Sequence, residues 1–168
     1  MSNYEIRGRV HKFGDHINTD YIIAGKYTKT LDYESLADHL FEDIAPGFRQ
    51  NMSKGDFIVA GENFGCGSSR EQAPIAIKYA GAGAVFARSF SRIFFRNAIN
   101  LGIPAVVCDT SQIADGDELL LDLENNRIKN LSSGIFIETE PLAPVMLEIL
   151  GNGGLVNYLK RYRDFVIR

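Results

Sequence analysis

Asp56-Phe57-Ile58-Val59-Ala60-Gly61-Glu62-Asn63-Phe64-Gly65-Cys66-Gly67-Ser68-Ser69-Arg70-Glu71 is the stretch whose reading decides the fold. Its first five residues form a short apolar strand, and residues 72–81 behind it read as a helix. A loop after a strand and before a helix is where open α/β folds build their sites. Three glycines between Gly61 and Gly67 permit positive φ and close approach of backbone to a ligand. At the start of the helix, unpaired N–H groups and the positive end of the dipole favour an anion or an ionised hydroxyl. Arg70 adds a planar fork matched to a carboxylate.

A plainer reading stands beside this one. Ser68…Glu71 and Ser69…Gln72 are overlapping capping-box registers, so the serines can serve only to start the helix. Pro74 removes a backbone donor one turn in, which shifts the regular helix later and frees the serine N–H groups. The loop is no Walker A, because Gly-Lys-Ser/Thr is missing. It is no Gly-x-Ser-x-Gly elbow, and Arg70 stands where a dinucleotide fingerprint needs its third glycine.

Outward from the loop, the chain alternates apolar strands with helices. Ala84–Ala87 is a second strand, Ser89 and Ser91 are caps for a helix through Ile99 closed by Gly102, and residues 104–108 are a third strand. That alternation predicts right-handed βαβ units on a parallel sheet. Residues 5–12 alternate polar and apolar, which suggests an edge strand, and Asp32 starts a helix over 33–42 ended by Pro46-Gly47. Residues 118–123 and 128–131 make a hairpin, 134–138 a further strand, and helices follow from about 142, the last with a basic exposed side. The whole reads as α/β with an added β layer, in one domain over 1–168.

Composition narrows the classes. The 168 residues are 45% hydrophobic and 23% charged, with a net charge of −3, which argues against a nucleic-acid binder. No run approaches the ~20 apolar residues of a membrane span, and the first residues lack a signal peptide's pattern. The expected compartment is the cytoplasm. Cys66 and Cys108 are the only cysteines and the three histidines are scattered, too few donors for an iron–sulfur or structural zinc site, which need about three or four. Both thiols read as small packed side chains.

Gly65-Cys66-Gly67-Ser68-Ser69-Arg70-Glu71, followed by Ala87-Arg88-Ser89-Phe90-Ser91-Arg92-Ile93-Phe94-Phe95-Arg96-Asn97-Ala98-Ile99-Asn100, resembles the small subunits of isopropylmalate dehydratase and homoaconitase. These are relatives of the swivelling fourth domain of aconitase. Lys12-Phe13-Gly14-Asp15, Asn18-Thr19-Asp20 and Gly151-x-Gly153-Gly154-Leu155-Val156-Asn157-Tyr158 extend the resemblance over most of the chain. It implies the swivelling β/β/α fold and a hydro-lyase that isomerises a hydroxy acid by dehydration and rehydration. It also implies a large subunit whose [4Fe–4S] cluster acts as Lewis acid on the leaving hydroxyl. By motif Ser68 is the base that takes the substrate proton. Ser69 and Arg70 grip a carboxylate, and Asp20 orients them, unless Asp20 merely forms the turn after Thr19.

By the same resemblance, specificity lies in Lys26-Tyr27-Thr28-Lys29-Thr30, a loop expected to close over substrate. An apolar residue at position 29 suits isopropylmalate and arginine suits homoaconitate; Lys29 departs from both and can also be a solvated loop charge. Isopropylmalate, in leucine biosynthesis, is the leading expectation; homoaconitate and dimethylmalate stay open. Arg88, Arg92 and Arg96 recur every four residues, and Arg92 and Arg96 are expected to dock the large subunit; Phe94 and Phe95 read as core. Self-association of the isolated subunit is a further expectation. A different class, an anion-binding regulatory module on the same fold, is the competing hypothesis.

Overall fold

The computed structural model describes residues 4–163. Seven strands are β1 (Glu5–Lys12), β2 (Phe57–Val59), β3 (Ala84–Ala87), β4 (Ala105–Val107), β5 (Glu118–Asp122), β6 (Arg127–Asn130) and β7 (Phe136–Glu138). The α-helices are α1 (Thr19–Ile22), α2 (Tyr33–Asp38), α3 (Phe48–Asn51), α4 (Gln72–Tyr79), α5 (Arg92–Asn100), α6 (Pro144–Gly151) and α7 (Leu155–Tyr162).

The strands form one sheet in the order β4-β3-β2-β1-β5-β6-β7. The first four are parallel, and β1, β5, β6 and β7 pair antiparallel. The antiparallel half is the added β layer: it continues the parallel half and curls over it. Its outer end returns to the far edge, where Cys108 bridges Thr139 and the Glu140 N–H donates to the Val107 carbonyl at 2.9 Å.

Successive strand side chains face opposite sides, and here both sides are buried. Phe57, Val59, Ala84, Phe86 and Val106 point inward, against Leu119, Leu121, Ile128 and Ile137 of the antiparallel half. Ile58, Val85, Ala87 and Ala105 point outward, under Leu36, Ala76, Ile77, Phe94 and Ala98 of the helices. The parallel strands therefore read as unbroken apolar runs.

Two expectations fail here. β1 lies in the centre of the sheet, between β2 and β5. Its alternation marks a strand with one exposed face; which strands flank it depends on partners far along the chain. The helix expected over 33–42 stops at Asp38 and gives way to turns, and the short α3 after Gly47 has too few residues to show a period. Asp32 does cap α2, accepting from the Ser35 N–H at 3.3 Å.

The late glycine motif has a packing cause. A Cβ on Gly102 would lie 2.6 Å from the Gly153 carbonyl oxygen, and one on Gly154 would lie 2.8 Å from that of Asn100. The link between α6 and α7 thus presses its bare backbone against the end of α5, the helix that carries one wall of the site.

Candidate active site

The loop after β2 is pinned along its first half by two flanking turns. From one side, the Asp15 carboxylate accepts the Glu62 N–H at 2.7 Å, and the Gly65 N–H donates to Ile17 at 2.8 Å. From the other, the Ser89 hydroxyl accepts the Asn63 N–H at 2.7 Å, and the Ser91 hydroxyl donates to the Gly65 carbonyl at 2.9 Å. The Thr19 N–H then closes on the Cys66 carbonyl at 2.9 Å. Asp15, Ser89 and Ser91, all within the motifs quoted above, therefore hold this loop. Gly65 has φ +80°, and a Cβ there would lie 2.4 Å from Phe94. Only glycine fits.

Beyond Cys66 the pattern of pairing changes. Among the described residues the N–H groups of Ser68, Ser69, Glu71 and Gln72 find no protein acceptor; only Arg70 turns its N–H back, to the Ser68 carbonyl at 2.9 Å. The capping boxes do not form. α4 begins at Gln72 with Glu71 as its N-cap residue and no side-chain capping bond, with Pro74 inside its first turn. Both serine side chains are thereby left for other work, and both are exposed. The arrangement concentrates free donors and the helix dipole on one spot.

Ser68, Ser69 and Arg70 line a cavity of about 300 Å³ together with Thr19, Arg92 and Asn97. The Ser68 Oγ lies 3.1 Å from the Thr19 Oγ1, and the Thr19 hydroxyl also reaches the Ser68 carbonyl at 3.0 Å. The Arg70 Nη1 lies 2.7 Å from the Asp20 Oδ1. Its guanidinium covers Gly25, where a Cβ would stand 3.1 Å from the Arg70 Nη1. Asp20 thus meets the site through Arg70.

The other expected site residues lie further out. Thr28 and Lys29 are not part of the cavity wall. The Thr28 hydroxyl donates to the Gly25 carbonyl at 2.8 Å, and its own carbonyl accepts from the Gln72 side chain at 3.2 Å, which ties the 25–30 loop to the start of α4. Lys29 is exposed and makes no ion pair among the described residues. Tyr27 anchors the loop from behind: its hydroxyl donates to Glu42 at 2.6 Å and its ring stacks on His39 at 3.7 Å. The Glu42 carboxylate is held below the usual range, chiefly by the Tyr27 hydroxyl and then by His39.

Arg92 and Arg96 are exposed on α5 beside the half-exposed Ile93. Arg88 departs from the expected stripe. Ser91 caps α5, accepting from the Phe94 N–H, so Arg88 precedes the helix and faces a different hollow with Asp109. Phe94 is buried and Phe95 partly so, both in the core. The sequence singled out Asn18-Thr19-Asp20 for its carboxylate; the Thr19 hydroxyl and Asn97 went unremarked. Nothing local marks Thr19, because its partner Ser68 is 49 residues away.

Among the described residues no group of three or more His, Cys, Asp or Glu could hold an ion. Cys66 sits in the site loop, whereas Cys108 lies at the end of β4, where burial and then Asp109 push its thiol up to about 12.

A model of the aconitase C-terminal domain matches residues 11–110. The chain belongs to the aconitase C-terminal domain family. The methanogen homoaconitase small subunit of Methanothermobacter thermautotrophicus is 52% identical over 92% of this chain and 91% of its own. The 3-isopropylmalate dehydratase small subunit of Wolinella succinogenes is 51% identical over 92% and 93%. A crystal structure of 3-isopropylmalate dehydratase from Methanocaldococcus jannaschii superposes with TM-score 0.91 at 50% identity, covering 95% of each chain. The resemblance read from the sequence and the curled mixed sheet both hold for this member of the family. Overall identity does not divide the two named activities, which stand within one percentage point of each other.

Proposed function

We propose that this chain is the small subunit of a hydro-lyase that isomerises 2-isopropylmalate by dehydration and rehydration, with Ser68 as the base. The observation that carries the reading is the open half of the loop: an exposed hydroxyl among unpaired N–H donors at a helix start, with Arg70 beside it. A serine hydroxyl is a weak base unless its ionised form is stabilised, and fixed donors in a partly closed cavity supply that stabilisation. Arg70 and the Ser69 N–H would hold the substrate carboxylate, with the carboxylate replacing Asp20 against part of the guanidinium.

The chain would act as one swivelling unit over 1–168, in the cytoplasm, with a large subunit that completes the site. Arg92 and Arg96 would dock an acidic face of that subunit, next to the cavity that Arg92 lines. Any iron–sulfur centre belongs to that partner, and the residues here account for the proton side alone.

Homoaconitate is the second reading, and Lys29 favours it: an exposed cation without an ion pair among the described residues could meet an additional carboxylate. The test is an anaerobic assay of this chain with its candidate large subunit, offering isopropylmalate and homoaconitate in parallel and following the alkene intermediate. Turnover of isopropylmalate alone is the expected result. Turnover of homoaconitate alone would move the substrate to the second reading. No turnover of either by an assembled, cluster-loaded complex would point to another malate derivative such as dimethylmalate, or to the regulatory module.

A further inference from the structure

We infer that Thr19 is a positioning residue for Ser68: its buried hydroxyl fixes the direction of the Ser68 O–H at rest and becomes the donor to Ser68 Oγ when that oxygen is ionised. This rests on the reading of Ser68 as the base. Thr19 is 2% exposed, so water cannot easily take over its hydrogen bonds. Its backbone is fixed independently, through the N–H to Cys66 and the carbonyl that accepts from Ile23 at 3.0 Å. The side chain therefore has one stable place, with its oxygen 3.0 Å from the Ser68 carbonyl and 3.1 Å from the Ser68 Oγ.

Proton counting gives the rest. A threonine hydroxyl has one proton and two acceptor lone pairs. When that proton goes to the Ser68 carbonyl, the contact between the two hydroxyls can be made only by the proton of Ser68, so Ser68 donates to Thr19. When Ser68 is ionised the polarity reverses. The Thr19 proton turns to the Ser68 alkoxide, where a charge-assisted bond is roughly twice as strong as a neutral one. As the substrate C–H bond breaks, its proton passes to the Ser68 Oγ; the electron pair left on carbon forms the alkene while the neighbouring C–O bond breaks, its pair departing with the hydroxyl as hydroxide to the large subunit's side of the site. The Thr19 proton then returns to the carbonyl. Both orientations use the same two oxygens and need no movement of the backbone. Gly67 beside them has φ +95°, a backbone conformation that favours glycine.

The test uses the assembled two-subunit enzyme and whichever of the two substrates turns over, with Thr19→Val, Thr19→Ser and Ser68→Ala in parallel. Valine keeps the shape and removes the hydroxyl; serine keeps the hydroxyl. Thr19→Val should lower kcat by about 10²–10³-fold, the loss seen when a single oxyanion donor is removed. KM should change little, and the primary isotope effect on substrate deuterated at the carbon that loses its proton should grow. Thr19→Ser should recover most of the rate. Should valine prevent assembly, Thr19→Ala is compared with Thr19→Ser in the same way. Equal rates for the hydroxyl-free and serine variants, or a lowered kcat with an unchanged isotope effect, would overturn the role of Thr19. If Ser68→Ala retains activity, the reading of Ser68 itself fails, and the role of Thr19 with it.

Discussion

β2 and β4 are both short, fully apolar strands of the parallel half, yet the loops that leave them at the same end of the sheet differ in how their polar groups are satisfied. After β4 the polar side chains pair off. The Asp109 carboxylate accepts from the Ser111 N–H at 3.1 Å and from its hydroxyl at 2.6 Å, and the Thr110 hydroxyl donates to the Ala60 carbonyl at 2.7 Å. After β2 the pairing stops at Cys66: among the described residues the Ser68 and Ser69 N–H groups and hydroxyls are left at the cavity, and the Glu71 and Gln72 N–H groups at the start of α4 beside it. The loop after β4 is a structural brace. The loop after β2 holds exposed donors that no other group of the described residues uses, so they meet water until a ligand displaces it. The contrast marks the site more sharply than either loop's composition.

The largest effect on the open loop should come from Gly65→Ala. A methyl group there meets Phe94 at 2.4 Å with φ at +80°, so stability should fall by about 2–4 kcal/mol, measured by urea unfolding, and turnover should vanish. Arg70→Lys keeps the charge but loses the fork. Its kcat/KM should fall about 10–100-fold, with the melting temperature little changed because lysine keeps the charge opposite the exposed Asp20. In the closed loop the signs exchange: Thr110→Val should cost about 1–2 kcal/mol of stability and leave kcat intact, because it strands the Ala60 carbonyl.

A smaller effect belongs to Cys108, at the end of β4. The Cys108 thiol is raised from the ordinary value of 9.0 to about 12 in the folded chain. The unfolded chain therefore loses this proton first, so the contribution of Cys108 to stability is full below about pH 9 and declines up to about pH 12. Cys108→Ala should flatten that alkaline decline, read from unfolding midpoints across the same range. A loss of turnover in the Thr110 variant, or an unchanged alkaline slope without Cys108, would weaken the contrast between the loops.

Much of this was legible because it is local. Asp32 and Ser91 cap helices from one turn away, the apolar runs at 57–60, 84–87 and 104–108 are strands, and the glycines of the site loop turn where positive φ is needed. The capping boxes misled, because Ser68…Glu71 has the right spacing for a pairing that the loop does not adopt. What spacing could not reach is pairing over long separations. Thr19 meets Ser68, Asp20 meets Arg70, and β1 finds β5 only once the sheet has closed. Arg88 was misplaced for the same reason: a four-residue period holds only inside the helix, and α5 starts at Arg92.

The most direct test of the account is the turnover of Ser68→Ala in complex with its large subunit, measured beside the stability of that complex. The account predicts unchanged assembly and melting temperature, because the exposed Ser68 side chain has only Thr19 for a partner, with turnover lowered by about 10²–10⁴-fold. Turnover near that of the unaltered chain would contradict it.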